Sequence, residues 1–388
     1  MEQFDEKIHR AGTSSVKWDM LKTVFGSEDL LPMWVADMDF KPPQPVLDSL
    51  EKRLQQPPYG YTFVPDSTGN AVVSWLERRH SWPISRAWIL YSIGVVPSIS
   101  VAIRALSEPG DQVLVMTPVY TPFFQMVELN DRKLATTLLK EKNERYEINW
   151  EDFEEKLKDT ALFLLCSPHN PSGRVWSKDE LHKISELCLK HDVLIISDEI
   201  HSDLIYSHSK HVPAALAAGN NEKSKHIITL AAPSKTFNLA GLQASVIISA
   251  SQEIREKIQA EQTKMGFFTL NTFGIAAMEA AYLEGEEWLD ALMNYLEGNL
   301  SLVREAVEEI PGLSLMEPDS TYLLWLNFKE TGKSDEEVND ALLKKAKLAL
   351  EPGEKYGEGG QGFVRMNIAC SRELVREGIK RLKLAFTD

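Results

Sequence analysis

Residues 161–203, ALFLLCSPHNPSGRVWSKDELHKISELCLKHDVLIISDEIHSD, decide the fold. Two short apolar runs, ALFLLC (161–166) and VLIIS (193–197), flank a polar turn and a segment of helical period. Near-continuous apolar runs are what parallel strands carry when helices cover both faces of their sheet. Between the runs, Ser177 followed by Glu180 makes a capping box, and Leu181, Ile184, Leu187 and Cys188 follow at helical spacing. Strand, helix and strand in succession imply a right-handed parallel crossover.

Working outward, QVLVM (112–116), HIITLA (226–231) and ASVIIS (244–249) are further strands of the same kind. The middle of the chain therefore reads as doubly wound α/β. Towards the C-terminus, STYLLWLNF (320–328) and GFVRMNIA (362–369) read as strands, with a helix capped by Ser334 and Glu337 between them. In the closing segment SRELVREGIKRLKLAF, Val375, Ile379, Leu382 and Phe386 share one helical stripe, which predicts a surface helix. The expected organisation is an N-terminal segment over 1–44 that packs with the small domain, a large domain over 45–285 and a smaller α+β domain over 286–388. The first segment holds Pro and Trp but shows no pattern of its own, and no Gly-, Ser- or Pro-rich linker separates the parts.

At roughly 100–200 residues per domain, 388 residues suit two or three domains. Apolar residues at 43% and charged residues at 26% exclude wholesale disorder. A net charge of −15 repels phosphate backbones and anionic lipid, so neither nucleic acid nor a membrane surface is an expected partner. The start MEQFDEKIHR has no signal-peptide character, and no apolar run approaches the ~20 residues of a membrane span. Cys166, Cys188 and Cys370 form no CxxC pair, which argues against a disulfide framework or a zinc site. They read as buried small apolar residues of a cytoplasmic protein with no bound metal.

In open parallel sheets, ligands bind beyond the carboxyl ends of the strands. After ALFLLC the turn carries Asn170; after VLIIS come Asp198 and His201; after HIITLA come Ser234 and Lys235. Upstream, Gly94 precedes a helix N-terminus whose free N–H groups, beginning at Val95 and Val96, suit a phosphate. Taken singly, Asp198 is a turn or capping residue and a loop lysine is a solvated charge. Together they set an amide, a carboxylate, an amine and an anion cradle around one crevice. Pyridoxal 5′-phosphate (PLP) asks for that combination: a lysine for a Schiff base, an acid beside the pyridine nitrogen and a phosphate site. No GxxxxGK[ST] or GxGxxG occurs, which weakens a nucleotide reading.

At these residues the chain resembles the MalY/PatB-type cystathionine β-lyases (C–S lyases) of the fold-type I PLP-dependent aminotransferase class I/II superfamily. The resemblance is carried by KWD (17–19), LPMWVADMDF (31–40), YGYT (59–62), TPVYTPF (117–123), CSPHNPSGRVW (166–176), SDEIHSDL (197–204), APSKTFNLAGLQ (232–243), STYLLWL (320–326) and GFVRMN (362–367), in that order. It implies a mostly parallel, seven-stranded large-domain sheet and a homodimer with shared active sites. Lys235 then holds the cofactor aldehyde and removes the substrate Cα proton. Asp198 pairs with the pyridine nitrogen, and Asn170 and His201 face the ring's phenolic oxygen. Tyr120 stacks on the ring, and Gly94, Val95, Val96 and Ser234 hold the phosphate with Tyr61 of the neighbouring subunit. Lys235, Tyr61 and Tyr120 make the implied catalytic set. Arg365 takes the substrate carboxylate, with Val35, Ala36, Asn170 and Tyr322 around it. Where many aminotransferases carry a phosphate-binding arginine, eight residues after the lysine, this chain has Gln243.

The implied reaction is α,β-elimination of L-cystathionine or related S-substituted cysteine conjugates to pyruvate, ammonia and a thiol. An aminotransferase shares every residue up to the carbanion and differs in where the proton returns. A regulatory protein-binding role added to the lyase is a third reading, and no exposed motif signals its partner.

Overall fold

The computed structural model describes residues 2–219 and 222–387. Seven strands form the large sheet: β1 (Ile89–Ser92), β2 (Gln112–Thr117), β3 (Lys133–Leu138), β4 (Thr160–Cys166), β5 (Leu194–Asp198), β6 (Ile227–Ala231) and β7 (Ser245–Ile248). Their order is β1-β7-β6-β5-β4-β2-β3. The five apolar runs expected in this region all form strands, each within one residue of its predicted ends.

Two features differ from the sequence reading. β7 runs antiparallel to both of its neighbours, whereas its apolar run had the look of a parallel strand. A strand buried on both faces is apolar throughout whichever way it runs, so composition is blind to direction. The strands β1 and β3 were not read at all. β3, KLATTL, lies at the sheet edge with mostly part-exposed residues and presents no long apolar run, whereas β1 lies in the apolar run AWILY (87–91), a signal as strong as that of the other strands.

Alternation along each strand explains the layers. In β4, Leu162 and Leu164 join the apolar cluster that holds Ile99 and Ile103 of helix α1 (Val95–Leu106). Phe163 and Leu165 join the opposite cluster, which holds Leu181 and Ile184 of helix α2 (Lys178–Lys190). Side chains at i and i+2 share a face, so the central strands feed two cores at once. Helix α2 begins with the capping box read from sequence: Ser177 Oγ accepts from Glu180 N, and Glu180 Oε2 accepts from Ser177 N.

The second sheet holds β8 (Ser314–Met316), β9 (Leu323–Asn327), β10 (Glu351–Pro352) and β11 (Phe363–Asn367), all antiparallel, in the order β8-β9-β11-β10. β9 and β11 are shorter than their apolar runs suggested, because the flanking residues leave the ladder to contact the large sheet's turns. Thr321 N, for example, donates to Leu204 O. The last helix, Arg372–Phe386, buries Val375 and Leu382 while Ile379 and Phe386 pack at the margin of the core, as its stripe required. The N-terminal stretch has no autonomous sheet; Leu31–Pro32 pairs in parallel with Leu348–Ala349. None of the described helices is long and apolar enough to cross a membrane.

Candidate active site

The carboxyl ends of β4, β5 and β6 open on a cavity of about 200 Å³. Ala36, Gly94, Val95, Val96, Tyr120, Asn170, Asp198, His201, Ser234 and Lys235, all named from sequence, line it. Topology accounts for the gathering: β4, β5 and β6 are adjacent and parallel, so their following turns emerge on one edge.

Lys235 sits on the single-turn helix Pro233–Thr236, three residues beyond the N-cap Ala232 and four beyond the end of β6. Its Nζ faces the cavity and donates to Ala36 O at 2.6 Å. Burial, then the Arg365 charge, lower its amine to about 8, against the opposing pull of Asp37 and Asp198. Asp198 ends β5; its Oδ1 accepts from Ile200 N at 3.1 Å. Burial pushes its carboxyl up to about 7, against the pull of that hydrogen bond and of Lys235. Two groups that ordinarily titrate far apart are thus brought close together by desolvation.

His201 is buried and its Nδ1 has no partner among the described residues. Burial, then the charges of Lys235 and Arg365, lower it to about 3, so it enters the cavity wall as neutral imidazole. Burial also raises the Tyr120 hydroxyl to about 12, which keeps it protonated as a donor. Gly94 is the N-cap of α1 at φ +153°, and the N–H groups of Val95 and Val96 open the helix towards the cavity. Gln243, the position that lacks the arginine, also lines it.

Arg365 on β11 is 5% exposed, not the solvated strand arginine that composition would favour. Nη1 donates to Asn170 Oδ1 at 3.1 Å, and Nη2 to Trp34 O at 2.7 Å. Tyr322 Oη donates to Ala36 O at 3.1 Å. Val35 is set back from the cavity, its carbonyl taken by Asn367 Nδ2 at 2.6 Å. Arg365, Tyr322 and Val35 therefore flank the cavity instead of lining it. Tyr61 is not brought to it at all: the side chain is fully exposed on another face, near Phe63, Tyr91 and Phe268.

Three contributions escaped the sequence reading. All three cysteines are buried free thiols, but Cys166 also lines the cavity, and its Sγ accepts from Asn170 N at 3.3 Å. Asn367 and Asn238 fasten the Val35–Phe40 backbone across the site. Only their place inside GFVRMN and APSKTFNLAGLQ hinted at a role.

The residues fit PLP on chemical grounds. A buried carboxyl with a single backbone donor is stabilised as a carboxylate by a pyridinium N–H, a buried amine lowered towards neutrality is ready to attack an aldehyde, and the helix N-terminus suits a phosphate.

Comparison with known proteins agrees with this site. Residues 42–382 match the family described as aminotransferase class I and II. The chain is 47% identical over 387 residues to cystathionine β-lyase PatB of Bacillus subtilis, covering 99% of this chain and all of that one. Among solved structures, cystalysin of Treponema denticola, which contains PLP, superposes with a TM-score of 0.95 at 35% identity over 98% of each chain. The PLP-bound C–S lyase of Staphylococcus hominis does so with a TM-score of 0.92 at 31% identity, over 99% of this chain and 98% of that one. With its strand order, its lysine and its carboxylate all in place, the chain belongs to the aminotransferase class I and II family.

Proposed function

We infer that this chain is a PLP-dependent C–S β-lyase, which converts L-cystathionine or a related S-substituted cysteine, with water, to pyruvate, ammonia and a thiol. The observation that carries the reading is one cavity holding the Lys235 amine and the Asp198 carboxyl, both shifted towards neutral pH, beneath a helix N-terminus. The likeness to named cystathionine β-lyases and C–S lyases supports the choice of reaction.

PLP, when bound, supplies a protonated ring that takes up the electron pair left at the substrate Cα. Asp198 would pair with the ring nitrogen and, ionised, keep it protonated. Asn170 and His201 would hold the phenolic oxygen, Tyr120 would stack on the ring, and Val95, Val96 and Ser234 would hold the phosphate. Arg365 holds the substrate carboxylate; its guanidinium is already oriented by Asn170 and Trp34, so little freedom is lost on binding. The Lys235 amine, lowered to about 8, takes the Cα proton while the β-thiolate departs.

The exposed Tyr61, Phe63 and Phe268 support a homodimer in which Tyr61 completes the partner's phosphate site. We place the enzyme in the cytoplasm, which suits three unpaired cysteines. Pairing of Leu31–Pro32 with Leu348–Ala349 supports grouping residues 1–44 with the small domain at 286–388, and the break at Gly285 between two helices supports ending the large domain at 285.

The test is incubation with L-cystathionine without any keto acid. Pyruvate and homocysteine form in equal amounts, and borohydride reduction leaves the pyridoxyl group on the Lys235 peptide. Lys235→Ala loses that adduct and at least about 10³-fold in turnover. Pyruvate or a new amino acid appearing only with an added keto acid assigns an aminotransferase instead.

A further inference from the structure

The motif KWD (17–19) does not line the cavity, yet it meets the irregular segment Trp34–Asp39, whose Ala36 does. Every carbonyl from Trp34 to Met38 is engaged by a side chain. Arg365 takes Trp34 O; Asn367 takes Val35 O and, at 2.6 Å, Asp37 O; Lys235 and Tyr322 share Ala36 O; Asn238 takes Met38 O at 2.9 Å.

The carboxylates of the same segment are gripped by charges. Lys17, 1% exposed, places Nζ 2.7 Å from Asp39 Oδ2. Arg10 binds Asp37 through both carboxylate oxygens at 3.0 and 2.6 Å, and also reaches Asp39 Oδ1 and Met38 O. Trp18 Nε1 adds a bond to Asp39 at 3.0 Å, and the Lys17 carbonyl accepts from Trp34 Nε1 at 3.0 Å. The cluster is two cations against two carboxylates, so it is neutral and hydrogen-bonded on all sides. Burial opposes ionisation of Asp39, but Lys17, Trp18 and Arg10 outweigh it and hold the carboxyl below its usual range. Buried charge in such a cluster is poor value for stability alone, since apolar replacement serves as well or better, but it fixes geometry.

We propose that Lys17, Arg10 and Trp18 are positioning residues that clamp Asp37 and Asp39 and so set the Trp34–Met38 backbone as one wall of the substrate carboxylate site. Clamped through Asp37 and Asp39, the segment presents Trp34 O to Arg365 and Ala36 O to Lys235 at fixed depth. A segment displaced by an ångström moves both the carboxylate anchor and the base, and misplacements of that size cost about 10²-fold in rate.

The proposal rests on the lyase reading, and the experiment separates the two. Lys17→Met, Trp18→Phe and the neutral pair Lys17→Gln/Asp39→Asn are compared with the parent holoenzyme. The readouts are the PLP dissociation constant, the binding of L-alanine (an amino acid with no β leaving group) and kcat/KM on L-cystathionine. If the parent itself neither binds PLP nor eliminates, the lyase reading fails. If it does both, Lys17→Met keeps its PLP affinity within threefold, weakens L-alanine about tenfold and lowers kcat/KM about 10²-fold. The neutral pair, which keeps a hydrogen bond without buried charge, recovers most of the loss. Should Lys17→Met fail to fold, Trp18→Phe, which removes one hydrogen bond and no charge, weakens L-alanine at least threefold. Variants that lose thermal stability but bind L-alanine and turn over like the parent overturn the proposal, as does a neutral pair no better than Lys17→Met.

Discussion

Lys235 and Asp198 are held by the fold in states that cost it stability. The amine belongs near 10.5 and the fold lowers it to about 8; the carboxyl belongs near 3.8 and the fold raises it to about 7. For the acid, the unfolded chain ionises first, so the cofactor-free fold is penalised increasingly as pH rises from about 4 to 7, and fully above 7. Asp198→Asn keeps the acceptor for Ile200 N and removes the charge. It therefore stabilises the cofactor-free protein at pH 8, by on the order of 2 kcal/mol, and by little at pH 4, as urea unfolding at the two pH values would reveal. If Asp198 partners the ring nitrogen as proposed, the same variant loses activity about 10²-fold or more. Removing the Asp198 charge also removes one influence that raises Lys235, so the pH midpoint for capture of PLP by the amine falls from near 8. A midpoint that rises in Asp198→Asn would contradict the arrangement. His201 was legible from its place after a strand end, and Arg365 from its motif and the alternation of GFVRMNIA; what the sequence could not say is that Arg365 reaches Asn170, 195 residues away, and is held there before any substrate arrives.

At the scale of elements, the turn between β4 and α2 has to end one strand, place Asn170 and start a capped helix within eleven residues. Gly173 makes this possible. It lies at φ +70°, and a Cβ there would come within 2.7 Å of Ser320 O and 3.0 Å of Pro318 Cβ. Gly173 N donates to His169 O, and Gly173 O accepts from Asp319 N and Ser320 Oγ, so the turn also joins the two sheets' connections. Gly173→Ala is expected to lower the unfolding free energy by about 2 kcal/mol and to weaken PLP binding together with it. Ser177→Ala, at the adjacent cap, is expected to cost about 1 kcal/mol and to leave PLP binding unchanged. Paired urea titrations and PLP titrations distinguish the two. The cap was legible because its chemistry is local. The edge strand β3 was not, since its stability comes from a neighbour and its own residues are largely polar; β1 carried an apolar signal, AWILY (87–91), that the sequence reading did not use.

For the whole molecule, the proposed dimer predicts complementation. Tyr61 is fully exposed in one chain, with Phe63 at 77% and Phe268 at 80% exposure around it, a patch larger than isolated surface aromatics need. If Tyr61 serves the neighbouring site, Lys235→Ala and Tyr61→Ala homodimers are both impaired. Mixed dimers regain up to one intact site in two, since the Lys235→Ala subunit lends its Tyr61 to the partner's lysine. Unfolding and refolding an equal mixture should therefore recover about a quarter of parental activity, half of the dimers being mixed and each having one of two sites intact. No recovery, or a monomer by light scattering, removes Tyr61 from the site.

By itself the sequence determined the doubly wound core, the capped crossover helix and the set of residues after each strand. These follow from apolar period, cap chemistry and the rule that parallel strands deliver their turns to one edge, all local or topological in origin. It also carried the lysine and carboxylate, because motif order survives without geometry. Only the tertiary structure decided the direction of β7, the retreat of Val35 and Tyr322 from the cavity wall, and the hold that Arg10 and Lys17 keep on Asp37 and Asp39. Each depends on desolvation and hydrogen bonds between groups far apart in the chain, and such energies have no signature until distant segments meet.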